Sequence, residues 1–259
     1  MSTKFKFLGF SSFLITTSSG TDILIDPYLN YNPVSPVKAS GFEKVDLLLV
    51  SHGAFDHLGD SAEIAKHYGC PVICSGDSKL LLLERGVDKA QLIETTWGLT
   101  VKAAGIKVRP VESRHRSCVT LQNGCVVTAN PLGFIIYTED DTRIYNASDT
   151  ALFSDLKLIG ELHRPHIGLM NVTIENPFDF LPEFLTGEMT AYEAALASQW
   201  LRLDYAVACH YTQKDCEDIQ IFINQLENTR SGERPYTKPI AMDAGQTFEY
   251  APGGIAKVY

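Results

Sequence analysis

Two histidines and one aspartate lie within a single short segment, residues 52–57, which reads His-Gly-Ala-Phe-Asp-His. The segment follows the apolar run from Asp46 to Val50 and precedes Asp60, a plausible helix N-cap, so we expect a strand-to-helix loop. Loops of this kind point side chains into the crevice beyond the strand ends. Imidazole nitrogens with a carboxylate suit a metal such as zinc. A polar loop with purely structural histidines is the alternative, and this segment alone does not decide.

Three further residues of the same chemical types each come just after an expected strand. If these strands lie side by side, their side chains meet the 52–57 segment at one end of the sheets. The sequence therefore predicts a metal site built from distant parts of the chain. The three residues are His115 after Ile106–Val111, Asp149 after Arg143–Asn146, and His210 after Tyr205–Cys209.

The elements that must position these residues alternate between strands and helices. We expect a hairpin from Lys4–Thr17 and Asp22–Asp26, and a helix from Asp60 to Gly69 with Glu63 completing a capping box. Two sheets with helices outside them account for the order, which predicts an α/β fold. Further helices are expected over Asp77–Arg85, Thr190–Leu201, which starts with a second capping box, and Cys216–Leu226.

Composition narrows the class of protein. The chain has 31 acidic and 22 basic residues and a formal charge of −9, which disfavours nucleic-acid binding. No apolar run approaches the roughly 18 residues of a membrane span, and the N-terminus lacks signal-peptide features, so we expect a cytoplasmic protein without membrane contact. The six cysteines include no Cys-x-x-Cys pair and are expected to be reduced.

Taken in order, these segments resemble the metallo-β-lactamase superfamily. Within it, the chain is similar to the branch of stand-alone metal-dependent hydrolases that includes ascorbate-6-phosphate lactonase. The resemblance covers nearly the whole chain. Its motifs are Ile23–Pro27, Ser51–Asp60, Ile144–Thr150, Met189-Thr190 and His210-Tyr211.

The resemblance implies a single domain over residues 1–259 with a four-layer αββα sandwich, classed as α/β or, in some schemes, α+β. It implies one or two divalent ions, with zinc first and manganese or iron as alternatives. Asp149 bridges the two ions. Site one comprises His52, the residue at position 54 and His115, and site two comprises Asp56, His57 and His210.

The resemblance also implies an activity. Metal-activated water would attack a small-molecule ester, lactone, amide or phosphodiester, with Asp56 as the catalytic residue that orients the nucleophile and passes on a proton. The substrate is a small molecule, with an anionic one favoured by Arg116. Relatives assemble through their outer surfaces, so a homo-oligomer is expected.

Four positions depart from the family pattern. Ala54 stands where the family has a ligating histidine, so site one loses a ligand; a natural branch with one tight metal and an engineered change both explain this. Phe10 replaces the histidine of a Gly-His-Ser segment, Ser148 replaces a glycine, and His166 replaces an aspartate. These changes put the substrate in doubt more than the fold.

Candidate substrate contacts are Arg116, Glu175 and Tyr211, with Glu188 as an alternative to Glu175. Arg114 shares a face with Arg116 if the stretch is extended. Two other functions stay open. One is a catalytically impaired member that binds a metal or a ligand, which Ala54 favours. The other is a nuclease, which the charge of −9 disfavours.

Overall fold

The structure is a computed structural model that describes residues 2–172, 187–228, 237–252 and 255–259. The strands are β1 (Thr3–Phe7), β2 (Phe13–Thr16), β3 (Asp22–Ile25), β4 (Leu47–Leu49), β5 (Val72–Cys74), β6 (Leu92–Glu94), β7 (Val101–Ala103), β8 (Ile106–Glu112), β9 (Ser117–Thr120), β10 (Val126–Ala129), β11 (Leu132–Tyr137), β12 (Arg143–Asn146), β13 (Ile167–Asn171), β14 (Tyr205–Cys209), β15 (Lys238–Ile240), β16 (Thr247–Ala251) and β17 (Ile255–Val258). The helices are α1 (Phe55–Leu58), α2 (Ser61–Tyr68), α3 (Gly76–Glu84), α4 (Leu156–His163), α5 (Ala191–Trp200) and α6 (Glu217–Asn228), with a 3-10 turn at Lys89–Gln91. Among the described helices, none has the length and apolar character that a bilayer crossing requires.

The strands form two large sheets and one short ribbon. The first sheet has the order β17-β16-β1-β2-β3-β4-β5-β6, and the second has the order β15-β14-β13-β12-β11-β8-β7. Strands β3 to β6 are parallel, as are β12 to β15. Strand β8 runs antiparallel to β11, which runs antiparallel to β12, so β8 and β12 end at the same edge. Within each sheet, the carboxyl ends of the strands that precede the candidate ligands therefore lie together.

Alternation of apolar side chains explains why the first sheet is covered on both faces. Leu47 and Leu49 belong to the core between the two sheets, whereas Leu48 and Val50 belong to a second core on the outer face. Ile64 of α2 also lies in that second core, together with Leu82 of α3. Successive strand side chains point to opposite faces, so one run of leucines serves two interfaces. The predicted α/β fold with two sheets between helices is confirmed.

Some local predictions were wrong. Residues Lys4–Thr17 form two strands rather than one, because Gly9 and Phe10 adopt positive φ angles of 95° and 52° and turn the chain back. The carboxylate of Asp60 does not cap α2; it accepts hydrogen bonds from the backbone N–H groups of Leu29 (2.8 Å) and Asn30 (2.9 Å). Helix α4 was not predicted. The capping box that begins α5 is confirmed.

Helices α4 and α5 pack against each other with very little space between them. A Cβ atom on Gly160 would lie 2.7 Å from the carbonyl oxygen of Trp200 and 2.8 Å from Cα of Leu201. Both are backbone atoms, which cannot move aside as a side chain can. Glycine at this position therefore sets the approach of the two helices.

Candidate metal centre

The six predicted ligands come from both sheets and meet at one edge of the sandwich. His52, Asp56 and His57 follow β4 of the first sheet, with the last two on the short helix α1. The other three follow β8, β12 and β14 of the second sheet. At the same edge, the N–H of Leu132 in β11 donates to the carbonyl of Ser51 (2.9 Å) and ties the sheets together. The convergence expected from strand order is therefore present in the structure.

The potential donor atoms form two groups that share Asp149. In the first group, His57 Nε2 lies 3.0 Å from Asp149 Oδ2, and His210 Nε2 lies 3.5 Å from Asp149 Oδ1 and 3.6 Å from Asp56 Oδ2. All donor atoms of this group lie within 4.8 Å of one another. Tetrahedral ligands with bonds of about 2.1 Å are separated by about 3.4 Å. The observed spacing fits such an arrangement.

The second group contains His52 and His115. The Nε2 atom of each lies 3.9 Å from Asp149 Oδ2, and the donor atoms of the three residues again lie within 4.8 Å of one another. Asp149 is the only residue in both groups, as a bridging ligand would be. Position 54 contributes nothing here, because the Ala54 side chain is a methyl group.

Hydrogen bonds fix which nitrogen of two histidines carries the proton. His57 Nδ1 lies 2.9 Å from Asp26 Oδ2, and because a carboxylate only accepts, Nδ1 is the protonated atom. The Ser51 hydroxyl donates its hydrogen to Asp26 Oδ2 as well (2.7 Å). The lone pairs of the Ser51 oxygen therefore accept a hydrogen bond from His52 Nδ1 (3.0 Å). In the neutral form of both rings, which is the form that binds metal, Nε2 therefore carries the lone pair and faces Asp149. Such supporting hydrogen bonds are typical of histidines that bind metals.

His115 follows the same rule on the opposite side of the site. Its Nδ1 lies 3.1 Å from the carbonyl of Gly187, an acceptor, so Nε2 holds the lone pair of the neutral ring.

His52 Nε2 is fully buried and has no hydrogen-bond partner in the described part of the chain. Leaving a buried polar atom unsatisfied costs about 1–3 kcal/mol. A metal ion would satisfy this atom, so the residues present fit a divalent ion.

The electrostatics of the cluster favour positive charge. Burial lowers the pKa of His57, but the charges of Asp149 and Asp56 more than offset this and raise it well above its usual value. Burial also lowers the pKa of His210, but the charge of Asp149 outweighs this effect and the pKa rises to about 9. Burial raises the pKa of Asp149, yet the nearby His210 and His57 hold it well below its usual value. The carboxylates thus stay ionised and attract protons or a cation.

His52 behaves differently, since burial and then the charge of His57 hold its pKa well below the usual value. It stays neutral at pH 7, which is the form that binds metal.

Several residues around the site have a strained backbone conformation. Asp26, Ser148 and His210 have φ angles of 44°, 54° and 67°, in the left-handed region that non-glycine residues rarely adopt. The N–H of His210 donates to the carbonyl of Phe10 (2.8 Å), which is itself left-handed. Each such residue costs about 1–3 kcal/mol, and strain of this kind clusters at functional sites.

The predicted substrate contact Arg116 lines a surface cavity of about 590 Å³ that also includes Arg114, His115, Trp97 and Asn130. The guanidinium of Arg114 donates to Glu112 (3.0 Å) at an exposed position. Arg116 lies beside a predicted ligand in the same cavity, where a bound anion could reach it.

The position of Tyr211 does not agree with its predicted role as a wall of the site. Its side chain is buried and packs against Phe7, with ring centroids 5.2 Å apart. Its hydroxyl donates to the carbonyl of Met242 (2.6 Å) and accepts from the N–H of the same residue (2.9 Å). Tyr211 is therefore a packing residue, because its only polar group is occupied. Glu175, the other predicted contact, lies outside the described residues.

Sequence reasoning missed several residues that support the site. Asp26 was noted as part of a motif but given no role, although it anchors both Ser51 and His57. Glu188 was considered only as a possible substrate contact, yet its Oε1 lies 4.0 Å from His115 Nε2. The available signal was position, since Asp26 directly follows a strand that is parallel to β4.

Comparisons with known proteins agree with this geometry. Residues 21–211 match the family described as the beta-lactamase superfamily domain. A relative from Methanobrevibacter smithii named UPF0173 metal-dependent hydrolase is 30% identical over 95% of this chain and 97% of its own length. The structure of Igni18, described as a novel metallo hydrolase from Ignicoccus hospitalis, has a TM-score of 0.75 and 25% identity, covering 97% of this chain and 99% of that one. The metallo-beta-lactamase fold protein YhfI from Bacillus subtilis has a TM-score of 0.66 at 14% identity, covering 96% and 100%.

Proposed function

We propose that this chain, which belongs to the beta-lactamase superfamily and is a metal-dependent hydrolase, acts on a small molecule and does so as a single domain. The observation that carries the proposal is the convergence of histidine lone pairs on the carboxylate of Asp149. Hydrogen bonds from the other ring nitrogens prearrange this convergence. The names of the M. smithii relative and of Igni18 support the same activity.

The residues of the chain have distinct roles in this proposal. Asp149 and the histidines would hold one or two divalent ions, which supply Lewis acidity and a water-derived nucleophile at neutral pH. Asp56 would orient the attacking water through its carboxylate and pass a proton to the leaving group. Its Oδ2 lies 3.6 Å from His210 Nε2 and 3.8 Å from His57 Nε2, so this carboxylate belongs to the same cluster. His210 and His57 in turn keep that carboxylate ionised.

An anionic substrate is favoured by the cavity next to His115. Arg116 presents a guanidinium there, and guanidinium pairs well with carboxylate or phosphate. Arg116 is thus a local positive group on a chain whose net charge is −9. The same net charge opposes the binding of nucleic acids. Lactones, esters and phosphodiesters that carry a second negative group are the substrates to test first.

The direct experiment compares metal-free and reconstituted protein on such a panel. We expect no hydrolysis after chelation and recovery on adding Zn²⁺, Mn²⁺ or Fe²⁺. His57→Ala should abolish the recovery, whereas His67→Ala, which changes an exposed histidine at the end of α2, should leave it intact. Hydrolysis that persists without metal, or that survives in His57→Ala, would contradict the proposal.

A second candidate, a catalytically impaired member that binds metal or ligand, is favoured by Ala54, since site one lacks the donor expected there. The same panel separates the two. Metal binding without turnover of any substrate, together with turnover gained in Ala54→His, supports the impaired member.

A further inference from the structure

We propose that Glu188 is a metal ligand that completes site one in place of a side chain at position 54. The inference rests on the proposed function, because it assumes that the cluster holds divalent ions. It concerns His52, His115, Asp149 and Glu188, which would together offer two imidazoles and two carboxylates.

The first argument comes from the lone pair of His115. Because its Nδ1 donates to Gly187, its Nε2 is a bare acceptor, and it faces two carboxylate oxygens. Asp149 Oδ2 lies at 3.9 Å and Glu188 Oε1 at 4.0 Å from this atom. When the His115 ring is neutral, these three electron-rich atoms repel one another unless a metal ion lies among them. Glu188 Oε1 is about as close to His115 Nε2 as Asp149 Oδ2 is, although the Glu188 carboxylate does not lie within 4.8 Å of all three donor atoms of the second group.

The second argument is that Glu188 is held in place. Met189 next to it is fully buried, and Thr190 begins α5 with a capping box in which Glu193 takes part. On the N-terminal side, the N–H of Gly187 donates to Glu188 Oε2 (3.3 Å), and the carbonyl of Gly187 accepts a hydrogen bond from His115 Nδ1 (3.1 Å). A side chain on Gly187 would meet the His115 ring at 3.2 Å. The residues flanking Glu188 therefore fix it beside the imidazole, as a ligand requires.

The third argument is electrostatic. The side chain of Glu188 is only 17% exposed. A carboxylate this shielded from solvent needs a positively charged partner, and a metal ion held by His115, Asp149 and Glu188 would supply one. The substitution of a carboxylate for an imidazole also predicts a shift in metal preference from Zn²⁺ toward Mn²⁺ or Fe²⁺ at site one.

The test measures binding of Zn²⁺ alone to the metal-free protein by calorimetry, with metal content determined independently. Wild type should bind two ions per chain. Glu188→Gln should weaken one of the two by at least tenfold and leave the other unchanged, while Glu161→Gln, at an exposed position on α4, should change neither. Adding Ala54→His to Glu188→Gln should restore the weakened site, because the missing donor returns at position 54.

The other outcomes are equally decisive. If wild type binds one ion, or if both affinities survive in Glu188→Gln, the assignment is wrong while the proposed hydrolase stands. A fall in hydrolysis with unchanged affinities would likewise overturn it and make Glu188 a substrate contact. If wild type binds no metal at all, the proposed function itself fails.

Discussion

Replacing Asp26 by asparagine should weaken metal binding, although none of the predicted ligands is itself substituted. The Asp26 carboxylate is fully buried; Oδ1 accepts from the N–H of Ser51 (2.8 Å), and Oδ2 accepts from the Ser51 hydroxyl and from His57 Nδ1. In Asp26→Asn the amide oxygen can keep the first bond, but an NH₂ group then stands 2.9 Å from a ring N–H. Two donors cannot pair. His57 must move its proton to Nε2 or rotate, and either change removes the lone pair directed at Asp149.

The expected size of the effect follows from this loss. Changing a residue that orients a metal-binding histidine typically lowers metal affinity by about 10- to 100-fold, or about 1.4–2.7 kcal/mol. The φ angle of 44° at position 26 adds no further penalty, because asparagine tolerates the left-handed region as well as aspartate does. The metal-free protein should also lose stability, since hydrogen bonds to a charged group contribute about 1.5–3 kcal/mol.

The assay is a competition between the protein and a chromophoric chelator for Zn²⁺, with urea unfolding of the metal-free form beside it. Asp22→Asn is the matched control: it makes the same change at the start of β3, the strand that Asp26 follows, where the carboxylate accepts from Thr16 (2.6 Å) away from the site. If Asp26→Asn binds Zn²⁺ within twofold of wild type, the reasoning about the histidine tautomers is refuted.

Three other outcomes are expected. Because the pKa of His210 is raised to about 9 and that of His57 is also raised, folding of the metal-free protein takes up protons. The contribution of these two histidines to stability should therefore be full below about pH 6.5 and decline as pH rises toward 9, while Zn²⁺ affinity increases over that range; urea midpoints that do not change between about pH 6.5 and 9 would contradict this. Gly160→Ala should destabilise the protein by about 1–3 kcal/mol despite the better helix propensity of alanine, because the new Cβ meets backbone of α5 at 2.7 Å. Tyr211→Phe should cost about 1–3 kcal/mol in urea unfolding, because it leaves the N–H and C=O of Met242 without their partner, yet leave hydrolysis unchanged; reduced turnover at normal stability would restore its predicted role at the site.

The sequence was most informative where local signals and tertiary structure agree. The apolar run from Asp46 to Val50 predicted a strand buried on both faces, which the structure contains as Leu47–Leu49. Thr190 with Glu193 predicted the start of α5. Both signals depend on the segment alone. The order of strands then predicted which ends would meet. Six candidate ligands could be named because each follows a strand, and the structure places all six at one edge.

The sequence failed where a side chain had a choice of partners. Asp60 has the residue type and spacing of a helix cap, but its carboxylate accepts hydrogen bonds from two backbone N–H groups of a loop that is distant in the sequence. Tyr211 follows a ligand directly, yet it points into the core because the strand end turns at His210, with its φ of 67°. Glu188 belongs to no local pattern. Its proximity to His115 depends on how α5 docks against the second sheet, which spacing along the chain does not encode.

The division of the ligands between the two sheets has a mechanical consequence. His52, Asp56 and His57 belong to one half of the sandwich, and His115, Asp149 and His210 belong to the other. A cation bound by ligands from both sheets would cross-link the two halves of the sandwich, so separating the halves would require release of the ion. Amide hydrogen exchange should then slow in strands of both halves together when Zn²⁺ is added, including strands that do not lead directly to a predicted ligand, such as β1 and β13.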